Sequence, residues 1–243
     1  MGVPAYKIAS FEIVDLPLIE KIAGTGKPII LSTGMATLQE IEEAVATARS
    51  AGAKEISLLK CTSAYPAPPE EMNLTTIRHL GETFKTVVGL SDHTLGIAVP
   101  VAAVALGASI IEKHFTLSRS VPGPDSAFSL EPTEFKQMVD AIRTVEKALG
   151  KIEYGTGQEQ GKSRAFRRSL FVVEDIKKGA VFSKENIRAI RPGLGLPPKH
   201  MKVVLGKTAT FDLKRGTPLA EEHIADQALD APARKAAGRG GKR

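Results

Sequence analysis

Two histidines carry the first chemical signal. His93 sits near the end of GLSDHT (89–94), and His114, twenty-one residues on, near the end of SIIEKHFT (109–116). Each follows an apolar run that reads as a buried strand. One histidine at a strand end is ordinarily a hydrogen-bonded structural residue. Two on successive strands are different, because neighbouring parallel strands lie about 4.8 Å apart and both imidazoles can reach one ion. Neutral imidazole suits a first-row divalent cation, and two protein ligands leave positions open for water and substrate, as in a catalytic site. Asp92 and Glu112, beside the pair in sequence, are candidates to fix the ring tautomers. His79, His200 and His223 fall on helix or loop segments and read as surface residues.

A second group suits an anion. Lys7, Ser10, Ser32, Ser63 and Ser91 all lie at predicted strand ends. A phosphate accepts hydrogen bonds on every oxygen, and one cation among several hydroxyls matches that demand. Any one of these serines alone reads as a strand terminator; together, facing one mouth, they favour an anionic ligand. The loop PGPDSAFSLEP (122–132) is stiffened by its prolines. Its Asp125 either accepts hydrogen bonds from a polyhydroxylated substrate or caps an ordinary turn.

These residues need elements to position them. The strand candidates are 6–10, 28–33, 55–62, 86–92 and 109–115, rich in Ile, Val and Leu on both faces, as in a parallel sheet covered on both sides. Between them lie helices. In TLQEIEEAVATARSAG (37–52), Thr37 and Glu40 make a capping box, Ile41, Ala44, Val45 and Ala48 share a face, and Gly52 ends the pattern. Residues 131–150 read as a second long helix. The βα alternation gives an α/β class. An open doubly wound sheet and a (β/α)8 barrel compete. No Gly-x-Gly-x-x-Gly follows any strand, which counts against a dinucleotide fold. Polar groups at every strand end are what a barrel enzyme gathers at its C-terminal face, although only five strands are predicted.

After Gly150 the texture changes. Residues 151–164 are polar and Gly-rich and read as a linker, leaving 1–150 as the first domain. DIKKGAVFSKENI (175–187) and DLKRGTPLAEEHI (212–224) are copies of one pattern, each predicted as a strand, a basic-Gly turn, and a short helix opening near Ser183 or Ala220. RPGLGLPP (191–198), between them, cannot be regular structure. Residues 165–225 read as a small β-rich domain. The tail 226–243 has no apolar period and reads as disordered.

Composition excludes little but shifts the weights. The formal charge is +6, and half of that excess lies in the tail. With no recognition helix, zinc finger or RNP motif, no specific nucleic-acid partner is expected. The most apolar run, 95–111, is broken by Pro100 and two glycines and is shorter than the ~20 residues of a membrane span, so no membrane partner is expected. One cysteine, Cys61, and no visible secretion signal fit a reducing cytoplasm.

YKIASFE, PIILSTGM, LLKCTSAYPAP, VVGLSDHT and EKHFTLSRSVPGPD, in this order and spacing, resemble the sialic acid synthases. RPGLG looks like the signature of the antifreeze-like (SAF) domain that follows their barrel. The similarity runs from about residue 3 to 225, and CTSAYPAP and SRSVPGPDSAFSLEP look most like the pseudaminic acid branch. The resemblance implies a (β/α)8 TIM barrel, here reduced at its N-terminal side to about five βα units, followed by the SAF domain. It implies condensation of phosphoenolpyruvate with an N-acylated amino sugar, 2,4-diacetamido-2,4,6-trideoxy-altrose, to a nonulosonic acid and phosphate. N-acetylneuraminate or legionaminate synthesis is the alternative within the family. An octulosonate- or heptulosonate-phosphate synthase, or an inactive fragment keeping a sugar- or partner-binding SAF domain, are the alternatives outside it. His93 and His114 would hold Mn2+ or Mg2+, and Lys7, Ser10, Ser32, Ser63 and Ser91 would contact phosphoenolpyruvate. Glu12, Tyr65 and Asp125 would face the sugar. Arg191 and Phe166 would reach the partner's site in a domain-swapped homodimer. Relatives carry a metal-proximal acid and a second phosphate-binding lysine on strands that this sequence lacks, so the chain as written is expected to be insoluble or inactive.

Overall fold

A computed structural model describes residues 2–155 and 157–225; the predicted disordered tail lies outside them. The chain divides into two compact units, one reaching Ile152 and one starting at Glu153.

The first unit alternates strand and helix. Its strands are β1 (Tyr6–Ile8), β2 (Ile29–Ser32), β3 (Ile56–Cys61), β4 (Val87–Asp92) and β5 (Ile110–Lys113). Its helices are α1 (Leu16–Ala23), α2 (Leu38–Ser50), α3 (Thr76–Phe84), α4 (Ala98–Ala105) and α5 (Pro132–Leu149). All pairings are parallel and the spatial order is β1-β2-β3-β4-β5. Flat, four inter-strand gaps of about 4.8 Å would put the edge strands about 19 Å apart. Yet Lys7 Nζ on β1 lies 3.3 Å from Glu112 Oε2 on β5, and two side chains cannot bridge the flat distance. The sheet is therefore curled into a half-barrel with Lys7 and Glu112 on its concave side.

Period-2 alternation sorts the two faces. Ile29, Leu31, Ile56, Leu58, Val88 and Leu90 point outward and pack against Ile19, Ile41, Val45, Ile77 and Leu80 of the helices. Ser32, Leu59, Cys61, Gly89, Ser91, Ile110 and Glu112 take the other parity. The predicted capping box of α2 forms, with Glu40 N–H donating to Thr37 Oγ1 at 3.3 Å and Thr37 N–H donating to Glu40 Oε2 at 2.7 Å. The apolar run 95–111 becomes α4, with Pro100 in its first turn, where a missing N–H is harmless. Among the described residues no helix is long and apolar enough to cross a membrane. α1 and α3, of eight and nine residues, fill two of the gaps between strands where helices are expected.

Gly89 marks a tight point on the concave side. A Cβ there would overlap the Ile110 carbonyl and come within 2.6 Å of Leu59 Cδ2. Gly89→Ala is therefore expected to lower stability by about 1–3 kcal/mol, as overpacking does, read from the urea midpoint; an unchanged midpoint would show that β5 can yield.

The second unit holds α6 (Gln158–Lys162), β6 (Ser169–Val172), β7 (Ile187–Ile190) and α7 (Met201–Val204), with β6 and β7 antiparallel. Part of the predicted linker is thus helical. The internal repeat closes on itself. Ile176 and Leu213 exchange backbone hydrogen bonds at 2.8 Å in both directions. Asp175 accepts from Arg215 N–H and Lys214, while Asp212 accepts from Lys178 N–H and Lys177. Each copy's aspartate ties down the other's turn.

Two predicted details fail here. No helix opens at Ser183: Ser183 N–H donates to Asn186 Oδ1 at 2.8 Å, Glu185 N–H to Ser183 Oγ, and the chain enters β7. Such side-chain bonds compete with a helix for the same backbone groups. The second copy gives only a 3-10 turn, Glu221–His223. RPGLGLPP is irregular as predicted. Its Gly195 runs against β6, where a Cβ would overlap the Leu170 carbonyl, and Leu196 pairs with Leu170 and Leu219. His200 is buried rather than on the surface, and the His223 side chain is only 16% exposed.

Candidate active site

The C-terminal ends of β3, β4 and β5 bring the two histidines together. Their ring centroids lie 5.2 Å apart. His93 is buried, and its Nδ1 lies 2.9 Å from the Thr62 carbonyl, which can only accept. Nδ1 therefore carries a proton, and in the neutral ring the lone pair is on Nε2. His114 Nδ1 lies 3.4 Å from Asp125 Oδ2 on the proline-stiffened loop. Burial and the neighbouring His93 hold His114 below the usual imidazole range, so it is neutral at pH 7. Burial works against protonating His93 as well, but Cys61 and the Thr62 carbonyl outweigh it and hold that ring above the usual range.

Aromatic rings enclose the pair. Tyr65, 46% exposed, lies 4.3 Å from His93 and 6.1 Å from His114, centroid to centroid. Phe128, from the loop after β5, lies 4.9 Å from His114. Phe128 escaped sequence reasoning because a phenylalanine in a loop carries no signal of its own.

The strand-end pattern predicted that Asp92 or Glu112 would orient the imidazoles, and neither does. Asp92 points the other way, into a buried ion pair with Lys113 at 2.6 Å. Period 2 forces this, since residues 92 and 93 must face opposite sides of the sheet. Glu112 reaches across the concave side to Lys7 and accepts from Ser91 Oγ at 3.0 Å.

The serines gather around a bare glycine. Ser10 Oγ accepts from Gly34 N–H at 3.1 Å. A Cβ on Gly34 would overlap Ser63 Oγ, and would come within 2.8 Å of Ser10 Oγ and 3.1 Å of Cys61 Sγ. Ser32, at the end of β2, is 2% exposed, and its Oγ has no hydrogen-bond partner among the described residues. Burial raises the Cys61 thiol, but hydrogen bonds from His93, Ser10 and Ser63 more than offset this and bring it to about 7. Gly34 and Cys61 were not predicted; the only clue to Gly34 is a glycine directly after a polar strand end.

Some predicted residues are not drawn in. The Glu12 side chain, in the 3-10 turn after β1, makes no hydrogen bond or ion pair among the described residues. Arg191 and Phe166 belong to the second unit, where both are exposed, Phe166 by 69%.

For a metal, the donor set fits an open site. Two imidazoles converge, one with its tautomer fixed and the other neutral. Among the described residues no group of three or more His, Cys, Asp and Glu could hold a metal ion, so this chain would supply two ligands.

The family model described as NeuB matches residues 1–154, and the SAF domain model matches residues 167–225. The chain is 51% identical over 225 residues to the pseudaminic acid synthase of Helicobacter pylori, covering 92% of this chain and 66% of that protein. It is 46% identical over 224 residues to the N,N'-diacetyllegionaminic acid synthase of Campylobacter jejuni, covering 91% of this chain and 67% of that protein. The crystal structure of a spore coat polysaccharide biosynthesis protein from Bacillus subtilis superposes with a TM-score of 0.57 at 38% identity, covering 91% of this chain and 67% of that one. The chain thus spans about two thirds of the length of the curated relatives it matches.

Proposed function

The chain belongs to the NeuB family, and from that premise we propose that it serves as a nonulosonic acid synthase, joining phosphoenolpyruvate to an open-chain N-acylated amino sugar. The finer reading is the pseudaminic acid branch, with 2,4-diacetamido-2,4,6-trideoxy-altrose as the sugar. Support for that branch comes from the identity to the pseudaminic acid synthase, 51%, against 46% for the legionaminic enzyme. The observation that carries the synthase reading is the imidazole pair beside a serine cradle that contains an orphaned hydroxyl.

In this reading the cradle receives the phosphate of phosphoenolpyruvate. Ser32 Oγ gains the partner it lacks, Ser10 and Ser63 close around the bare Gly34, Ser91 adds a further hydroxyl, and Lys7 supplies charge. His93 and His114 would hold Mn2+ or Mg2+, which when bound polarises the sugar aldehyde. The Thr62 carbonyl aims His93, and Asp125 steadies His114 while its exposed oxygens accept from sugar hydroxyls. Tyr65 covers the rings on the sugar side, and Glu12 faces the sugar from the turn after β1. The new bond joins C3 of phosphoenolpyruvate to the aldehyde carbon. Water then adds at C2, and phosphate departs with C–O cleavage. In a domain-swapped homodimer, Arg191 and Phe166 would come from the partner's SAF domain to add charge and exclude water.

The test is to mix the chain with Mn2+, phosphoenolpyruvate and either the altro-configured sugar or its manno-configured counterparts. The expected result is binding of phosphoenolpyruvate by 31P NMR; phosphate and a nine-carbon acid formed from the altro sugar would assign the pseudaminic branch and overturn the expectation of an inactive chain. Product from a manno sugar alone would move the assignment to the neuraminic or legionaminic branch. Absence of both phosphoenolpyruvate and Mn2+ binding would overturn the synthase reading and leave a fragment with a sugar- or partner-binding SAF domain.

A further inference from the structure

The end of the sheet opposite the imidazoles carries a cavity of about 290 Å3, at the starts of β3 and β4. From Thr86 to Asp92 along β4 is about 20 Å at ~3.3 Å per residue, so this is a separate place from the candidate active site. Three cations line it: Arg49 from the last turn of α2, Lys54 from the turn into β3, and Lys85 at the end of α3. One carboxylate, Glu55, lines it too. None of the three cations is in an ion pair among the described residues. Arg49 gives one N–H to the Phe84 carbonyl at 2.5 Å, and the Lys54 and Lys85 ammonium groups have no hydrogen-bond partner among the described residues. Thr86 Oγ1, on the same wall, is buried and also unpartnered.

Basic residues near helix C-termini ordinarily answer exposed carbonyls. Here the backbone already meets much of that need. Ala51, Gly52 and Ala53 donate to the carbonyls of Thr47, Arg49 and Ala48, and Lys85 N–H donates to Gly81. The Lys54 and Lys85 ammonium groups are therefore left at this space, and the hydroxyl buried in its wall, with no receiving group among the described residues. A buried hydroxyl without a partner is a standing cost that a ligand oxygen removes.

We infer that this cavity is an anion site for the phosphate group of a small phosphorylated metabolite. Arg49, Lys54 and Lys85 supply the charge and Thr86 Oγ1 donates to a phosphate oxygen. The volume exceeds that of a bare phosphate, and Ile56 and Val87 give the remainder of the molecule an apolar wall. The site is independent of the synthase reading.

The experiment is an amide NMR titration of the full chain with inorganic phosphate and with phenyl phosphate at fixed ionic strength. Saturable shifts are expected at Lys54–Ser57 and Lys85–Val87, larger with phenyl phosphate, and distinct from any near Ser32 and Ser63. An Arg49→Gln/Lys54→Gln/Lys85→Gln variant should bind at least about tenfold more weakly. Thr86→Val should bind about fivefold more weakly, with a thermal midpoint equal to or above the parent's; a hydroxyl with a structural role would lower the midpoint instead. No saturable shift at the strand starts, or equal affinity in the triple variant, overturns the proposal.

Discussion

Lys113→Met destabilises the first unit by about 3–5 kcal/mol, the usual consequence of leaving one charge of a buried pair alone. The Lys113 and Asp92 side chains are 1% and 0% exposed, with Nζ 2.6 Å from Oδ2. Lys113 also donates to the Thr94 carbonyl, and Asp92 accepts from Thr94 N–H at 3.0 Å and Thr94 Oγ1 at 3.2 Å. In the variant, a carboxylate stays buried with only a neutral hydroxyl and one amide for company. Asp92→Asn added to Lys113→Met removes the second charge and keeps an acceptor for Thr94 N–H. The double variant should regain at least about half of the loss, because a buried pair contributes little net stability over a neutral replacement. Urea unfolding of the four members of the cycle measures this; a cost below about 1 kcal/mol for Lys113→Met alone would show that the site relaxes or admits water.

The same pair explains why the imidazoles meet. Asp92 and Lys113 are register partners at the ends of β4 and β5, and His93 and His114 are the next residues on each strand. Fastening the outward side chains of one register step fixes the strand ends from which the inward imidazoles of the next step hang. Lys113 is thus a positioning residue, and the double variant separates its two effects. It should restore stability while widening the His93–His114 separation, seen as lost ring-to-ring contacts in NMR.

Residue type and spacing located what local order controls. The five strands, α2 with its capping box, α5, and the two-histidine pair were legible because period-2 and period-3.6 patterns, caps and strand ends are short-range signals. Strand ends and a proline-stiffened loop named the serines and Asp125, the resemblance added Tyr65, and the structure adds which of them lack partners. What was not legible depends on pairing between distant segments. Lys7 meets Glu112 only because the sheet curls, and no window of sequence carries curvature. Asp92 was assigned to an imidazole because adjacency in sequence was taken for adjacency in space; parity sends it to Lys113. Gly34 matters for the side chain it lacks, which only the positions of Ser10, Ser63 and Cys61 reveal. His200 was placed on the surface because a Pro-Pro-Lys-His stretch looks solvated, whereas its ring is buried in the second unit's fold.

If the imidazole pair is the proposed metal site, His93→Ala is expected to remove Mn2+ binding and, in a complete synthase, to lower Mn2+-dependent phosphate release by at least about a hundredfold. The reason lies in ligand number. This chain brings two imidazoles and, among the described residues, no cluster of three donors, so losing one leaves a single protein nitrogen. A single imidazole competes poorly with water for a divalent ion. The readout that does not depend on turnover is paramagnetic broadening. Mn2+ should broaden the ring protons of both His93 and His114 in the parent and neither in the variant, while the exposed His79 stays sharp in both. The pH dependence has a definite sign, since a proton on Nε2 blocks the metal. His114 lies below the usual range, so at neutral pH it does not limit binding. His93 lies above it, so affinity should fall as the pH is lowered through the His93 pKa, beginning above the ~6.5 of a free imidazole. Broadening of His114 that persists in His93→Ala, or affinity that rises toward acid pH, would place the ion elsewhere and dissolve the pair as a metal site.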